Sequence, residues 1–416
     1  VRILILTPQL PYPPHQGTTI RNYNLIAQLA RRHQVDLLSF VGAEEEIVQA
    51  APLHTLCGRV DGVVAPRRSP LRRLWSVFFS SQPDMALRLP SATFRTLLAR
   101  RLTETTYDVI QIEGIEMAQY GLQVARSRWQ VGPSVPNSQT SNVNRQTLLV
   151  FDDHNAEYVL QQRAFETDAR QPRRWIGALY SLIQWQKLRR YETLVCRSAD
   201  HVVACSDADA AALRRLIPDL TVTIVPNGVD TEFYRPDLAP AGGPPAHLLF
   251  TGKMDFRPNI DAVCWFCEAV LPRVWEQRPE VTFVIAGRDP HPRVQALADD
   301  PRIVITGYVA DTRPYFASAT IYVVPLRIGG GTRLKVLEAM AMAKPIIATT
   351  LGCEGLDLVP GQDLLLADSA PTFAAQILAL LNDPSRQAAL GAHARRLAQT
   401  RYDWSNIVPR LETIYC

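Results

Sequence analysis

The feature that most constrains this chain is an alternation of short apolar runs and longer helical patterns, repeated along its whole length. Candidate strands occupy residues 3–6, 35–40, 60–64, 109–112, 148–151, 201–204, 222–225, 248–251, 281–286, 303–306, 321–324 and 345–348. Most are rich in Val, Ile and Leu on both faces, as strands covered by helices on both sides must be. Helical patterns at 20–32, 208–216, 259–277 and 333–342 fall between them. A repeated strand–helix–strand order gives a parallel sheet with helices on both faces. Such sheets bind ligands at the carboxyl ends of their strands.

The 416 residues suffice for two or three domains. The segment RPDLAPAGGPP, residues 235–245, is rich in Pro and Gly, lacks periodicity and reads as a linker. It separates an expected first domain, 1–234, from a second, 246–398. Two such domains facing each other place one site in the cleft between them. The last stretch, 399–416, carries Trp404, Ile407, Val408, Leu411 and Ile414 at helical spacing. Its apolar face suits either domain, and we assign it to the first. Residues 131–147 are polar, without an aromatic residue, and read as a mobile surface loop or insertion.

Hydrophobic residues at 47% and charged residues at 20% mark a folded globular chain rather than a disordered one. A net charge of +4 is too small to imply a nucleic-acid partner. No apolar run is long enough for a membrane-spanning helix, and the run at 3–6 is too short for a secretory signal. The seven cysteines include Cys264 and Cys267 at C-x-x-C spacing, but no second pair completes a zinc site. We read them as core thiols of a reducing, cytoplasmic environment.

The strongest local signal is PLRIGGGTRLKVLEAMAMAKP, residues 325–345. A strand ends at Val324, three glycines follow, and a helix begins near Thr332. Gly329, Gly330 and Gly331 let backbone amides approach a ligand closely, and the helix start adds partial positive charge. Arg333 and Lys335 in the first helical turn gain nothing from the helix dipole, so a bound anion accounts for them. Glu338, further along the helix, can accept hydrogen bonds from two neighbouring hydroxyls such as those of a ribose.

These residues resemble the retaining glycosyltransferases of family 4, which have the GT-B fold of two Rossmann-like domains and use nucleotide-diphosphate sugars. The resemblance extends over nearly the whole chain through QGTTIRNYNLIAQLARRHQVDLLSF, VVACSDADAAALR, VPNGVDTEFYRP, LLFTGKMDFRPNIDAV, FVIAGRDP and VITGYVADTRPYFASATIYVVPL. It implies an amino-terminal acceptor domain and a carboxyl-terminal donor domain. Most of the family carries two glutamates eight positions apart. Glu338 matches the second, implied to bind the ribose. The first falls at Gly330, as in a subgroup with GGGTRLK at this place, so the glycine amides are the implied substitute. Lys253 matches a diphosphate-binding position, and Arg257 matches a second one loosely. The nucleotide base is expected near Gly287, Arg288, Tyr308 and Val309. Basic residues that balance the diphosphate imply transfer without a metal or cofactor, by front-face attack on a UDP- or GDP-type donor.

In the first half, LLVFDDHNAEY places Asp152, Asp153, His154, Asn155 and Glu157 beyond the end of a strand. The cluster resembles the D-x-H-N-x-E marker of a family 4 subgroup, which implies that His154 lies near the reacting sugar. Asp153, Asn155 and Glu157 are acceptor-side candidates. Glu113 and Glu116 follow another strand and are either acceptor contacts or ordinary loop acids. Gly17 and Thr18 precede a helix expected from Ile20 and form a second anion-facing helix start.

Arg67, Arg68, Arg72 and Arg73 lie beside Trp75, Phe78 and Phe79, a pattern that suits equally a membrane surface or apolar residues facing the core beside solvated arginines. The later segment with Arg173, Arg174, Trp175, Trp185, Lys187, Arg189 and Arg190 reads as an amphipathic helix, for which an aromatic face in the core is favoured over a membrane surface. The expected function is transfer of a hexose to a glycan, lipid-linked or small-molecule acceptor, in the cytoplasm or at the inner membrane face. A sugar-nucleotide epimerase and a non-catalytic nucleotide-sugar-binding protein are the rival readings.

Overall fold

The computed structural model describes residues 1–69, 75–77, 79–130, 147–170, 174–239, 246–331 and 333–415. Residues 131–146 of the loop expected at 131–147, the linker residues 240–245 and Thr332 lie outside them, while Thr147 is buried and donates to Tyr107 O at 2.9 Å. Two compact units emerge. One comprises Val1–Pro226 and Val408–Cys416, the other Asn227–Ile407.

The first unit holds seven strands: β1 (Arg2–Thr7), β2 (Gln34–Val41), β3 (Arg59–Val64), β4 (Val109–Glu113), β5 (Leu148–Asp153), β6 (His201–Ala204) and β7 (Val222–Ile224). They form one parallel sheet in the order β3-β2-β1-β4-β5-β6-β7. The second unit holds β8 (Ala246–Thr251), β9 (Phe283–Ala286), β10 (Ile303–Gly307), β11 (Ala319–Val324), β12 (Ile346–Ala348) and β13 (Leu365–Leu366). Their order is β10-β9-β8-β11-β12-β13, again parallel. The central strands are apolar at nearly every position because both faces are covered, as with Ile3, Leu4, Ile5 and Leu6 in β1 and Ile321, Tyr322, Val323 and Val324 in β11. Cys264 and Cys267 lie in the core of the second unit, and burial pushes both thiols up.

The boundaries differ from the expectation in three places. The chain passes to the second unit after Pro226, not at 234. Residues 227–234 bond within that unit: Val229 N donates to Tyr402 O at 2.8 Å, and Thr231 Oγ1 donates to Asp403 Oδ2 at 2.6 Å. Only Val408 onward, rather than 399 onward, belongs to the first unit. There Arg32 and His33 reach Glu412 at 2.8 and 3.0 Å. The first helix spans Gly17–Leu29, three residues ahead of the expected start, because polar Thr19 caps it by accepting from Gln16 N at 3.0 Å. Apolar periodicity carries no trace of such a cap.

The ends of β8 and β9 touch through backbone alone. A Cβ added at Gly287 would sit 1.7 Å from the carbonyl oxygen of Gly252. No side-chain rotation relieves such an overlap, so the two strand ends must part. Gly287→Ala is expected to destabilise the second unit by up to about 3 kcal/mol, read as a lowered thermal midpoint. An unchanged midpoint would show that these backbones are not in contact.

Candidate active site

Strand order explains where the candidate residues lie. In a doubly wound sheet the crevice opens where consecutive connections leave on opposite faces. That switch point lies between β1 and β4 in the first unit and between β8 and β11 in the second.

In the first unit, Pro8 and Gln9 leave β1, Gly114 and Ile115 leave β4, and Asp153 and His154 stand at and after the end of β5. Together with Thr18 they line a cavity of about 280 Å³. Behind it lies a buried polar chain. Register sets Glu113 opposite Asp152 on the adjoining strands. Glu113 Oε2 bonds His154 Nε2 at 2.8 Å, and Glu113 Oε1 accepts from Gln111 Nε2 at 2.5 Å. The Tyr415 hydroxyl, from the last helix, donates to Gln111 Oε1. Glu113 is therefore neither an acceptor contact nor a loose loop acid; it is 1% exposed and holds the imidazole. Burial alone would lower the His154 pKa, but the Glu113 bond and the charges of Asp152 and Glu113 outweigh it and raise it.

Asp152 is held from the first helix. Arg21 Nη2 and Nε donate to its Oδ2 at 2.7 and 3.2 Å, with side chains 1% and 0% exposed. Glu113, Asp152 and His154 bring potential metal-ligand atoms within 4.8 Å of one another. The cation already against Asp152 is the Arg21 guanidinium, and both oxygens of Glu113 already take donors.

Asp153 is fully buried. Glu157 lines the cavity, and burial followed by the charge of Glu116 pushes its carboxyl up to about 7, against Arg88, His154 and Asn155. Arg88 meets Glu116 at 3.1 Å. Asn155 also lines the cavity. Gly17 lies in the first turn of its helix, not before it.

In the second unit, four predicted segments follow four neighbouring parallel strands in spatial order. Tyr308 and Val309 follow β10, Gly287 and Arg288 follow β9, Gly252 and Lys253 follow β8, and the glycine bend lies beyond β11. Gly329 and Gly331 adopt φ of 108° and 82°, which only glycine takes without strain. The helix begins at Leu334, and buried Arg333 folds back so that Nη1 donates to Gly330 O at 3.0 Å and Nε to Leu351 O at 3.3 Å. Arg333 thus pins the bend, a role its sequence position does not announce.

Lys335 Nζ donates to Asn259 Oδ1 at 2.9 Å and lies 4.0 Å from the centre of the Phe250 ring. Asn259 Nδ2 donates in turn to the Lys253 carbonyl at 2.8 Å. Burial, reinforced by Arg333 and opposed by Glu338, brings the Lys335 ammonium down to about 7. Burial also raises the Glu338 carboxyl, opposed by a hydrogen bond from Tyr234 and by Lys335. Tyr234 was missed in the sequence; it arrives from the segment before the linker. Lys253 Nζ lies 2.9 Å from Asp255 and 4.0 Å from Asp289, half exposed and so easily exchanged. Arg288 lies 3.7 Å from Asp289, and Arg257 is exposed at the first position of the helix Arg257–Trp265.

Two parallel sheets of the Rossmann type define the GT-B class of glycosyltransferase folds. The chain belongs to glycosyltransferase family 4, whose model matches residues 15–233, and the model for glycosyl transferases group 1 matches 245–383. It is 29% identical over 244 residues to the D-inositol 3-phosphate glycosyltransferase of Kineococcus radiotolerans, covering 50% of this chain and 55% of the relative. It is 25% identical over 245 residues to the lipopolysaccharide core biosynthesis mannosyltransferase LpcC of Rhizobium leguminosarum bv. viciae, covering 54% and 66%. The chain thus spans little more than half to two thirds of these relatives. Among solved structures it resembles Anabaena HepE in complex with UDP and glucose, with a TM-score of 0.65, 15% identity and 99% and 98% coverage. It also resembles the sucrose-phosphate synthase of Thermosynechococcus elongatus, with a TM-score of 0.69, 17% identity and 100% and 98% coverage.

The described part of the basic-aromatic segment is mixed. Trp75 and Phe79 are 67% and 70% exposed with rings 4.2 Å apart, while Arg68 turns inward to Asp84 at 2.5 Å. Arg72, Arg73 and Phe78 lie outside the described residues, as does Arg173. The helix Trp175–Ser198 departs from its expected burial. Leu188, Tyr191 and Val195 are buried, but Trp175 is 64% exposed and Ile176 and Leu179 also face solvent. Among the described residues, no helix is long and apolar enough to cross a membrane.

Proposed function

We propose that the chain is a retaining hexosyltransferase that takes a nucleotide-diphosphate sugar and needs no metal. The observation that carries this reading is the order of strand ends β10-β9-β8-β11. It lines up an exposed Tyr308, the Gly287 and Arg288 turn, Lys253 and a pinned glycine bend with Lys335 and Glu338 beside it. A base at Tyr308 and Val309 would leave the ribose at Glu338 and the diphosphate at Lys253, Lys335 and the amides of the bend. Arg257 and Arg288 would add long-range attraction. Glu338, held by Tyr234, would then accept from the two ribose hydroxyls. In the first unit His154, oriented by Glu113, would contact the reacting sugar. The exposed Trp75 and Phe79 pair favours an acceptor presented at a membrane surface, with the protein peripheral on the cytoplasmic side.

The test is titration of the full chain with UDP and GDP, followed by labelled-donor transfer and analysis of the anomeric product. One nucleotide is expected to bind. Glu338→Gln is expected to weaken it by about tenfold, the loss of hydrogen bonds to a charged acceptor. Because free Lys335 sits near 7 and a diphosphate raises it, binding above neutrality takes up a proton. Affinity therefore falls as pH rises from about 7, and calorimetry in buffers of different ionisation enthalpy measures that proton. No binding of either nucleotide would overturn the reading. Binding without turnover would favour a nucleotide-sugar-binding protein, a reading that Gly330 in place of the family's first glutamate keeps open.

A further inference from the structure

Three elements of the second unit meet at one amide. Asn259 lies in the first turn of the helix Arg257–Trp265 and is 6% exposed. Its Oδ1 accepts from Lys335 Nζ, on the helix Leu334–Ala341, at 2.9 Å. Its Nδ2 donates to the Lys253 carbonyl, in the loop after β8, at 2.8 Å. An ammonium only donates and a carbonyl only accepts, so a single orientation of the amide serves both. A second, longer bond reaches the Lys253 carbonyl from Phe256 N at 3.4 Å.

The approach is close enough to dictate the residue beside it. Gly252 has a φ of 152°, and a Cβ there would lie 2.8 Å from Asn259 Nδ2 and 2.9 Å from Lys335 Nζ. A side chain at 252 would push both groups away from the end of β8. The Phe250 ring covers the ammonium from another side, its centre 4.0 Å from Nζ. The two lysines are therefore held differently. The Lys253 side chain is half exposed and leans on Asp255 and Asp289. Lys335 is enclosed by glycine backbone, an aromatic ring and the Asn259 amide. Among the described residues, the charges acting on it are Arg333 and Glu338, both from its own helix. On the facing helix, Arg257 turns to solvent and Asp261 pairs with Arg327 at 2.8 Å.

We infer that Asn259 is a positioning residue of the donor site, whose one amide sets the Lys335 ammonium and the backbone of Lys253 toward the same diphosphate. This rests on the donor reading given above and extends it from the residues that would touch the nucleotide to the one that places them. The amide acts through its two partners rather than on the nucleotide itself.

Two measurements on the full chain test this. The first needs no nucleotide. The chain has four lysines, Lys187, Lys253, Lys335 and Lys344, so carbon NMR of labelled lysine side chains follows each titration, with Lys335→Met as the assignment. A bond accepted from the ammonium favours its charged form. Asn259→Leu is therefore expected to move the Lys335 titration below its parent value of about 7, and Asn259→Asp to move it above. The second measurement is titration with UDP and GDP. Asn259→Leu is expected to weaken the nucleotide that binds by about tenfold, the loss of a hydrogen bond to a charged group. With Lys335→Met already present the same substitution is expected to cost about threefold or less, because residues that act through one another are not additive. The pH at which affinity begins to fall follows the lysine, lower in Asn259→Leu and higher in Asn259→Asp. Should Asn259→Leu fold poorly, Asn259→Asp alone is expected to move both the lysine titration and that onset upward. A Lys335 titration unmoved by either variant, or an undiminished loss in the Lys335→Met background, would mark Asn259 as a packing residue and overturn the inference alone. Failure of the parent to bind either nucleotide would sink the donor reading, and this inference with it.

Discussion

Arg21→Met is expected to lower the unfolding free energy of the full chain by about 3–5 kcal/mol, the usual consequence of stripping a buried ion pair of one partner. Arg21 and Asp152 are both almost wholly removed from water, and the bond joins the first helix to β5 across the switch point of the first sheet. Burial works against the charge on Arg21, but Asp152 foremost, with Cys205 and Glu113, more than offsets it. The loss of Arg21 leaves a buried carboxylate beside Glu113 with only His154, among the described residues, to oppose its charge.

The deficit carries a pH signature. Burial raises the Asp152 carboxyl above 3.8 even with Arg21 opposing, and removing Arg21 raises it further. A carboxyl whose folded pKa exceeds its unfolded value stabilises the fold below the unfolded value. That contribution is lost as pH rises through the folded pKa. The variant is therefore weakest near neutrality and approaches the parent as pH falls toward the range where Asp152 binds a proton. Adding Asp152→Leu is expected to restore most of the loss, because the uncompensated charge is gone. Chemical denaturation at several pH values measures all three. A loss independent of pH, unrepaired by the second substitution, would show that packing of the Arg21 stem and not charge is at issue.

The second large effect is on turnover. His154→Ala is expected to reduce kcat by about 10²–10⁴-fold, the span of a positioned acid or base, with donor affinity little changed because the residues proposed to hold the nucleotide lie in the other unit. Glu113→Gln separates holding the ring from supplying it. The Glu113 hydrogen bond is the largest of the contributions that raise the His154 pKa, so its weakening moves the limb of the pH–rate profile that reports His154 to lower pH. A purely structural Glu113 would change stability and leave that limb in place. Equal turnover in His154→Ala and the parent would remove His154 from the reaction.

Much of the fold was legible because buried parallel strands are local apolar runs. Twelve of the thirteen described strands fall where such runs do, and the exception, Leu365–Leu366, is two residues long and too short to carry a pattern. The glycine bend was legible for a similar reason, since the positive φ of Gly329 and Gly331 is a local demand that residue type reveals. The exposure of Trp175 was misread because amphipathic spacing marks a face without saying how far along the helix that face stays covered.

The sequence by itself determined the two parallel sheets, the placement of candidate residues beyond strand ends and the family. Tertiary structure alone decided which of those residues meet. Glu113 and His154 are 41 positions apart, Arg21 and Asp152 131, and Gln111 and Tyr415 304. Propensity and periodicity act over a few residues, whereas these pairs exist because strand order sets β4 between β1 and β5 and because the last helix returns to the first unit. No local pattern encodes a partner that only the packing of whole elements brings within 3 Å.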